Sequence, residues 1–269
     1  MVHDPREGVT DDGTIMTGAA SDRIPPVYAA LVDDAVEALS AELGDALHSI
    51  YLYGSVATGQ ARPPGSDLDL IVVLEHLMPE VVGAAAAELS SRHRQLVREV
   101  GIGSVDVATL SRRDQTGHAE RCFLKHYAVH LAGPDLRLAY PPCRPTAQLA
   151  VGFNGNLSAV LAERRRQLAS EDDERERAEL AARACRKILM AAATLLSVRD
   201  GNWSTDRSEA VELVRRHAPD LGGLADEALR WCDSTPLADT NGALEIIDRL
   251  GGWLTNEYGV TSGQEGPAS

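Results

Sequence analysis

The chain has 269 residues, of which 44% are apolar and 4% aromatic, and its formal net charge at pH 7 is −14. This length and composition predict a folded globular protein of one large domain or two smaller ones. The acidic balance argues against binding to nucleic acid or to an anionic membrane, since both require a basic surface. No apolar run reaches the length of a membrane span and the first residues lack a signal-peptide pattern, so we expect a cytoplasmic protein.

The N-terminal half alternates helical and β-prone segments. Residues 1–23 are polar and glycine-rich, and we predict a disordered tail there. The expected elements are then a helix at 26–43, strands at 48–53 and 68–74, a helix at 79–100, a strand at 104–110, a helix at 119–125 and a strand at 128–131. Apolar periodicity and Gly or Pro breaks support these assignments. Residues 24–143 are therefore predicted to form an α/β domain with a small mixed sheet.

The second half of the chain, after a proline-rich stretch near residue 143, shows only helical patterns. The predicted helices span 148–170, 174–199, 205–217, 223–233 and 239–257. In the second of these helices an apolar stripe recurs at the spacing that a bundle helix requires. The stripe consists of Leu180, Ala184, Ile188, Ala191, Leu195 and Val198. We predict an all-α helical bundle over 144–259, followed by a disordered tail over 260–269.

The stretch 51–74 carries the pattern that points to chemistry. Gly54 and Ser55 end one predicted strand, and after eleven residues Asp67 and Asp69 open the next. Alternation along a strand directs both Asp side chains to one face, where two carboxylates repel each other unless a cation lies beside them. Mg²⁺ binds carboxylate and phosphate oxygens, and a Gly-Ser turn between strand and helix suits a phosphate group. The pattern therefore predicts a site for a metal and a triphosphate.

Asp106 is the candidate third carboxylate. It lies between Val105 and Val107 on the third predicted strand, so we expect it to face the same side as the aspartate pair. There it would bind a metal or accept the proton of an attacking hydroxyl. The alternative is an ordinary strand carboxylate that faces solvent.

The order of Gly-Ser, eleven residues, Asp-Leu-Asp and a later single carboxylate resembles the DNA-polymerase-β-like nucleotidyltransferase superfamily. A nucleotidyltransferase domain followed by a helical bundle is similar to the streptomycin/spectinomycin type of aminoglycoside adenylyltransferase. The resemblance implies that Gly54 and Ser55 hold the β- and γ-phosphates of ATP. It also implies that Asp67 and Asp69 bind two Mg²⁺ ions and that Asp106 is the base or a third metal ligand. The implied reaction is attack of a hydroxyl on the α-phosphorus of ATP, with release of pyrophosphate.

Positive charge for the triphosphate must come from a few cations in this acidic chain. Arg183, Arg186 and Lys187 lie within about one turn on a bundle helix, which the resemblance makes a wall of the active-site cleft. The alternative is an exposed basic stripe that pairs with nearby Glu residues. Arg62, in the loop before the aspartate pair, and Arg207, near the position of a lysine in the family's bundle motif, are the other predicted nucleotide-binding residues.

The predicted partners follow from the same resemblance and from the charge. We expect a monomer that transfers AMP from ATP to a hydroxyl of a small cationic or polar acceptor, with an aminoglycoside or aminocyclitol antibiotic as the leading hypothesis. The surplus acidic charge would attract such a polycation. Two alternatives stay open: a toxin–antitoxin-type nucleotidyltransferase that adenylylates a protein or a tRNA end, and a non-catalytic nucleotide-binding regulator.

The cysteines and histidines show no recognised metal motif. The four cysteines are far apart and form no CxxC pair, so the sequence predicts neither a metal cluster nor a disulfide framework. His126 and His130 are four residues apart, as metal ligands can be, but no Glu follows the first of them. We therefore expect these histidines to be structural.

Overall fold

The computed structural model of the chain describes residues 8–233 and 241–263. The chain divides into two units, of which the first is Thr14–Cys143. The second unit comprises the described residues of Met1–Gly13 and Arg144–Ser269. Residues 1–7 and 264–269 of the predicted tails, and the start of the helix predicted from residue 239, lie outside the described residues. Residues 260–263, also predicted as tail, belong instead to the last described helix.

A four-stranded sheet with the strand order β3-β2-β1-β4 is the centre of the first unit. The strands are β1 (Leu47–Tyr53), β2 (Leu68–Leu74), β3 (Val100–Asp106) and β4 (Val129–Ala132). β2 and β3 run parallel, whereas β1 is antiparallel to both β2 and β4. The sheet is therefore small and mixed, and the predicted α/β fold class is confirmed.

Helices cover both faces of this sheet. They are α1 (Ala29–Leu43), α2 (Gly54–Ala57), α3 (Pro79–Arg92), α4 (Val107–Ser111) and α5 (Gln115–Tyr127). On β2, Leu70 and Val72 belong to the core that contains residues of α1 and α3, while Ile71 and Val73 belong to the core that contains residues of α5. β2 is apolar on both faces for this reason, as expected for a central strand.

β3 begins and ends earlier than the strand predicted at 104–110. Gly101 and Gly103 lie between the predicted helix and the predicted strand, yet both belong to β3 and pair with Asp69 and Ile71 of β2. The strand ends at Asp106, and the following residues form α4. Parallel pairing with β2, a non-local interaction, outweighs the low β-propensity of the two glycines.

Residues 14–23, predicted as part of a disordered tail, are packed in the first unit. Ile15 and Ala19 are only 2% and 6% exposed. The amide of Ile15 donates a hydrogen bond to the carbonyl oxygen of Cys143 (2.8 Å), and the amide of Ala20 donates to that of Ala57 (3.1 Å). The tail prediction is wrong for this segment, because isolated apolar residues between glycines show no periodicity yet fill places in the core.

The elements of the second unit are all helical over the range from 144 that the structure describes, which confirms the predicted helical half. They are α6 (Ala147–Asn154), α7 (Leu157–Ser170), α8 (Glu174–Arg199), α9 (Arg207–His217), α10 (Gly222–Asp233), α11 (Asn241–Glu245), a π-helical segment (Ile246–Gly251) and α12 (Gly252–Gly263). The helix predicted at 148–170 is two helices, because Gly155 adopts φ +58° and Asn156 caps α7. None of the described helices is both long and apolar enough to span a membrane.

Candidate active site

Asp67 and Asp69 lie at the start of β2, on either side of the fully buried Leu68. Side chains alternate along a strand, so the two carboxylates are on the same face and Leu68 is on the other. That face of the sheet continues into Ile71 and Val73, which pack with residues of α5. The aspartate pair therefore lies at the beginning of a central strand, where its apolar face reaches the end of the sheet.

Two glycines, Gly54 directly after β1 and Gly101 on β3, lie next to the carboxylate of Asp69. A Cβ atom on Gly54 would lie 2.3 Å from Asp69 Oδ2, and one on Gly101 would lie 3.5 Å from Asp69 Oδ1. Gly54 also has φ +72°, a backbone conformation that other residues adopt only with strain. Glycine at position 54 therefore meets two requirements: it adopts the positive φ of the turn, and it leaves space for the Asp69 side chain, which a larger residue would displace.

The negative charge of Asp69 is not compensated by the protein. The pKa of Asp69 is raised to about 6, chiefly by burial and then by the charge of Asp67, with a smaller contribution from Glu99, while Arg98 acts in the opposite direction. No donor among the described residues forms a hydrogen bond with this side chain. A buried carboxylate without a donor is costly unless it is protonated or has a cation beside it.

Glu99 is a third carboxylate at this position, and the sequence analysis missed it. It comes directly before β3, where the pairing of Leu68 with Val100 brings it beside Asp67 on the neighbouring strand. Its carbonyl oxygen accepts a hydrogen bond from the amide of Leu68 (3.0 Å), and its side chain is exposed. Asp67, Asp69 and Glu99 together are called the carboxylate edge below.

Arg98 is the cation of this edge and was also missed. Its Nε donates a hydrogen bond to Asp67 Oδ1 (3.0 Å), and its Nη2 donates to Asp67 Oδ2. The guanidinium is 60% exposed, so the pair with Asp67 is readily exchanged for another cation. Both Arg98 and Glu99 fall in the segment that the sequence assigned to the end of a helix; only the register of β3 against β2 reveals them.

Asp106 does not belong to the carboxylate edge, and the prediction that it faces the aspartate pair is wrong. In the parallel register Asp69 pairs with Gly101, whereas Asp106 pairs with Leu74 at the other end of the strands. Five residue positions at about 3.3 Å each separate the two rows by roughly 16 Å. The Asp106 side chain instead accepts a hydrogen bond from the amide of Thr109 (2.6 Å) and caps α4.

The Gly54-Ser55 turn joins β1 to the short helix α2. The carbonyl oxygen of Ser55 accepts hydrogen bonds from the amides of Gln60 (2.8 Å) and Ala61 (3.1 Å), which fixes the path of the following loop. Arg62 lies exposed in that loop and forms no ion pair with any carboxylate in the described part of the chain. The loop that leads to Asp67 therefore begins after this turn and contains Arg62.

The predicted cations of the second unit have three different surroundings. Lys187 on α8 is partly buried, and burial lowers its pKa. Arg183, one turn earlier, forms an exposed ion pair with Glu179 (3.5 Å), as the alternative of a solvated basic stripe predicted. Arg207 is exposed and begins α9, directly after the capping residue Asp206. Among these three, Lys187 is the cation partly withdrawn from solvent.

Comparison with known families agrees with the geometry of the sheet and its edge. Residues 32–116 match the family model described as a nucleotidyltransferase domain, and this range contains the Gly54-Ser55 turn and the whole carboxylate edge. The matched part of the chain, residues 32–116, is therefore a nucleotidyltransferase domain, as the sequence predicted.

A solved structure extends the likeness over most of the chain. Spectinomycin adenyltransferase AAD(9) from Enterococcus faecialis, crystallised with ATP and spectinomycin, is similar with a TM-score of 0.53 and 13% sequence identity. The alignment covers 84% of this chain and 98% of that chain. At this identity the likeness concerns the fold, and it confirms the predicted resemblance to the aminoglycoside adenylyltransferases at that level. No curated protein matches the sequence.

Proposed function

We propose that the protein transfers AMP from ATP to a hydroxyl of a small cationic acceptor, with release of pyrophosphate, and that an aminoglycoside or aminocyclitol is the acceptor class. The observation that carries this proposal is the carboxylate edge beside a Gly-Ser turn, within a nucleotidyltransferase domain. The Asp69 carboxylate, which has no hydrogen-bond donor among the described residues, lies next to a turn that can approach phosphate, and this combination suits a cation and a triphosphate together.

The donor set of the carboxylate edge fits Mg²⁺. Its ligand atoms are carboxylate oxygens, which hard divalent cations prefer. Burial first, and then the charge of Asp67, raise the pKa of Asp69 by disfavouring its charged form, and a bound cation would offset both effects. Asp67 and Asp69 are the residues that would hold it. When bound, Mg²⁺ neutralises charge on the triphosphate and on the leaving pyrophosphate, and it lowers the pKa of the attacking hydroxyl.

The chain's own residues supply the remaining functions. Gly54 leaves room beside Asp69, and the hydroxyl and backbone amide of the following Ser55 are the proposed phosphate contacts. Glu99, exposed at the same edge, accepts the proton of the acceptor hydroxyl as general base, a function proposed for Asp106 from the sequence. Arg62 remains the proposed partner of the triphosphate within the first unit.

The acceptor class is supported by charge. A net charge of −14 raises the local concentration of a polycation around the protein and disfavours a polyanion such as tRNA. The structural similarity to an enzyme crystallised with ATP and spectinomycin points to the same class of acceptor.

A transfer assay with parallel acceptor panels tests the proposal. The full chain is incubated with Mg²⁺ and each α-labelled nucleoside triphosphate, and with aminoglycosides and aminocyclitols, tRNA or candidate proteins in separate reactions. We expect pyrophosphate release and label transfer with ATP and a small antibiotic acceptor. A polyamine, which has the positive charge but no hydroxyl, serves as the matched control and should not be labelled. Label on tRNA or protein alone would refute the acceptor class, and no turnover of any triphosphate would refute the proposed reaction.

A further inference from the structure

Two thiols and one imidazole form a cluster in the first unit, outside the carboxylate edge. Cys122, His126 and Cys143 each offer one ligand atom, and these atoms all lie within 4.8 Å of one another. The three residues are 0%, 2% and 7% exposed, in that order. This group is called the thiol–imidazole cluster below, and the proposed nucleotidyl transfer uses none of its members.

Local and non-local structure both contribute to the cluster. Cys122 and His126 are four residues apart on α5, so they lie on the same face of the helix. Cys143 arrives from the end of the unit, where its amide donates a hydrogen bond to His126 Nε2 (2.8 Å) and its carbonyl oxygen accepts one from the amide of Ile15 (2.8 Å). The cluster therefore lies where the chain enters and leaves this unit.

The hydrogen bonds of His126 set its tautomer. Because Nε2 accepts a hydrogen bond from the Cys143 amide, the ring proton is on Nδ1, which lies 3.2 Å from the hydroxyl oxygen of Thr17. A metal-bound histidine is held in the same way, with one nitrogen lone pair facing the ligand sphere and the other N–H donated to an oxygen. The Nε2 lone pair of His126 is thus directed to the side of the ring where Cys143 lies, and a bound ion would take the place of the Cys143 amide, breaking that hydrogen bond.

We propose that Cys122, His126 and Cys143 bind a Zn²⁺ ion. Two thiolates and an imidazole are the ligand types that Zn²⁺ prefers over Mg²⁺ or Ca²⁺, and three protein ligands leave one position of a tetrahedron for water. Both thiols release their protons to solvent as they bind. The ion would link α5 directly to Cys143 at the end of this unit. Ile15 and Thr17, near the start of the unit, are joined to Cys143 and His126 by hydrogen bonds, so both ends of the unit would be held at one helix.

The metal content of the reduced, full-length chain without a polyhistidine tag tests this proposal. After exposure to Zn²⁺ and dialysis into metal-free buffer, we expect about one tightly bound Zn²⁺ per chain by mass spectrometry. With Co²⁺ instead, and with excess Mg²⁺ to occupy the carboxylate edge, we expect the near-ultraviolet charge-transfer absorption of a cobalt–thiolate bond. The absence of this absorption from the wild-type chain would overturn the proposal, whatever the folding of any variant.

Variants assign the signal to the cluster. Cys122→Ser and Cys143→Ser should abolish the charge-transfer absorption, whereas Cys185→Ser, which alters an equally buried thiol on α8, should leave it unchanged. Thr17→Val, which removes the hydrogen-bond acceptor of His126, should weaken Zn²⁺ binding about 10- to 100-fold. Retention of the absorption in both Cys122→Ser and Cys143→Ser would contradict the assignment.

Discussion

The two ends of the β2–β3 strand pair each carry an aspartate, and their surroundings give these residues opposite properties. At one end Asp69 lies between two glycines, with no hydrogen-bond donor among the described residues, and its pKa is raised to about 6. At the other end Asp106 accepts hydrogen bonds from Thr109 at the start of α4, and these bonds lower its pKa.

This difference shows what distinguishes a candidate cation site from a helix cap. Both residues are aspartates at the ends of paired strands, and sequence pattern alone assigned them the same function. The protein compensates the charge of Asp106 with the backbone N–H and the side chain of Thr109, so that carboxylate is stable by itself. Asp69 receives no such compensation and has two further carboxylates near it, so a cation from solution stabilises that end.

The largest expected effect is that of Asp69→Asn on catalysis. Loss of a carboxylate that holds the metal removes several kcal/mol of transition-state stabilisation, so we expect kcat/KM for nucleotidyl transfer to fall at least about 10³-fold. Steady-state pyrophosphate release measures this change. Asp106→Asn is the matched control at the other end of the strands and should retain the wild-type rate; equal losses in both variants would remove the distinction between the two ends.

Glu99→Gln is expected to reduce turnover by about 10²-fold, because a general base at the carboxylate edge is lost. The reduction should appear in kcat rather than in KM for ATP, and the pH dependence of kcat that the base imposes should disappear. Glu75→Gln changes an exposed glutamate just beyond the other end of β2 and should leave both parameters unchanged. If Glu99→Gln retained wild-type turnover, Glu99 would have no catalytic function.

The raised pKa of Asp69 makes stability depend on pH. Between the ordinary value of 3.8 and about 6, the folded chain holds a proton on Asp69 that the unfolded chain has released. The free energy of unfolding should therefore fall as pH rises through this window, by up to about 3 kcal/mol in total without divalent cations. Denaturant titrations of wild type and Asp69→Asn measure this contribution, which the variant should lack. Saturating Mg²⁺ at pH 7 should restore stability to the wild type alone, and an unchanged wild-type midpoint would argue against a cation site.

Asp106→Ala should affect stability and not catalysis. Removal of the cap of α4 is expected to lower the free energy of unfolding by about 1 kcal/mol, whereas Asp106→Asn, which can also cap, should cost less. Thermal denaturation and the transfer assay together measure both quantities. A loss of activity in Asp106→Ala at temperatures where the variant is folded would return Asp106 to the list of catalytic candidates.

The smallest expected effect is that of Arg98→Gln. Arg98 pairs with Asp67 through an exposed guanidinium and so competes with a divalent cation for the same oxygens. Its removal should lower the Mg²⁺ concentration needed for half-maximal activity, by roughly two- to five-fold. Mg²⁺ titrations of the transfer rate measure this shift. An increase in the required Mg²⁺ would instead show that Arg98 assists binding.

The sequence was sufficient for the parts of the first unit that depend on local pattern. The apolar run after Asp69 predicted β2 correctly, and the break at Gly54 predicted the turn that follows β1. Strand alternation alone was enough to place Asp67 and Asp69 on one face. These features depend on residues close together in the chain, which is where pattern and propensity are most informative.

Features that depend on pairing between distant segments could not be predicted. Glu99 joins the carboxylate edge only through the register of β3 against β2. Gly101 and Gly103, which have low β-propensity, are part of β3 because they pair with Asp69 and Ile71 of β2. The thiol–imidazole cluster likewise requires the end of the unit to return to α5, a contact that cysteine spacing does not show. Asp106 was misassigned because its distance from Asp69 depends on the register of β3 against β2, which strand alternation does not give.

Binding of Mn²⁺, an oxygen-preferring stand-in for Mg²⁺, tests the central claim most directly, because it needs neither acceptor nor turnover. Electron paramagnetic resonance of free Mn²⁺ is followed during titration of the wild type, Asp69→Asn and Asp106→Asn. We predict equal affinity for wild type and Asp106→Asn, and an affinity at least about tenfold weaker for Asp69→Asn, in line with loss of a ligand from the carboxylate edge. Weakened binding in Asp106→Asn with unchanged binding in Asp69→Asn would contradict this account of the site.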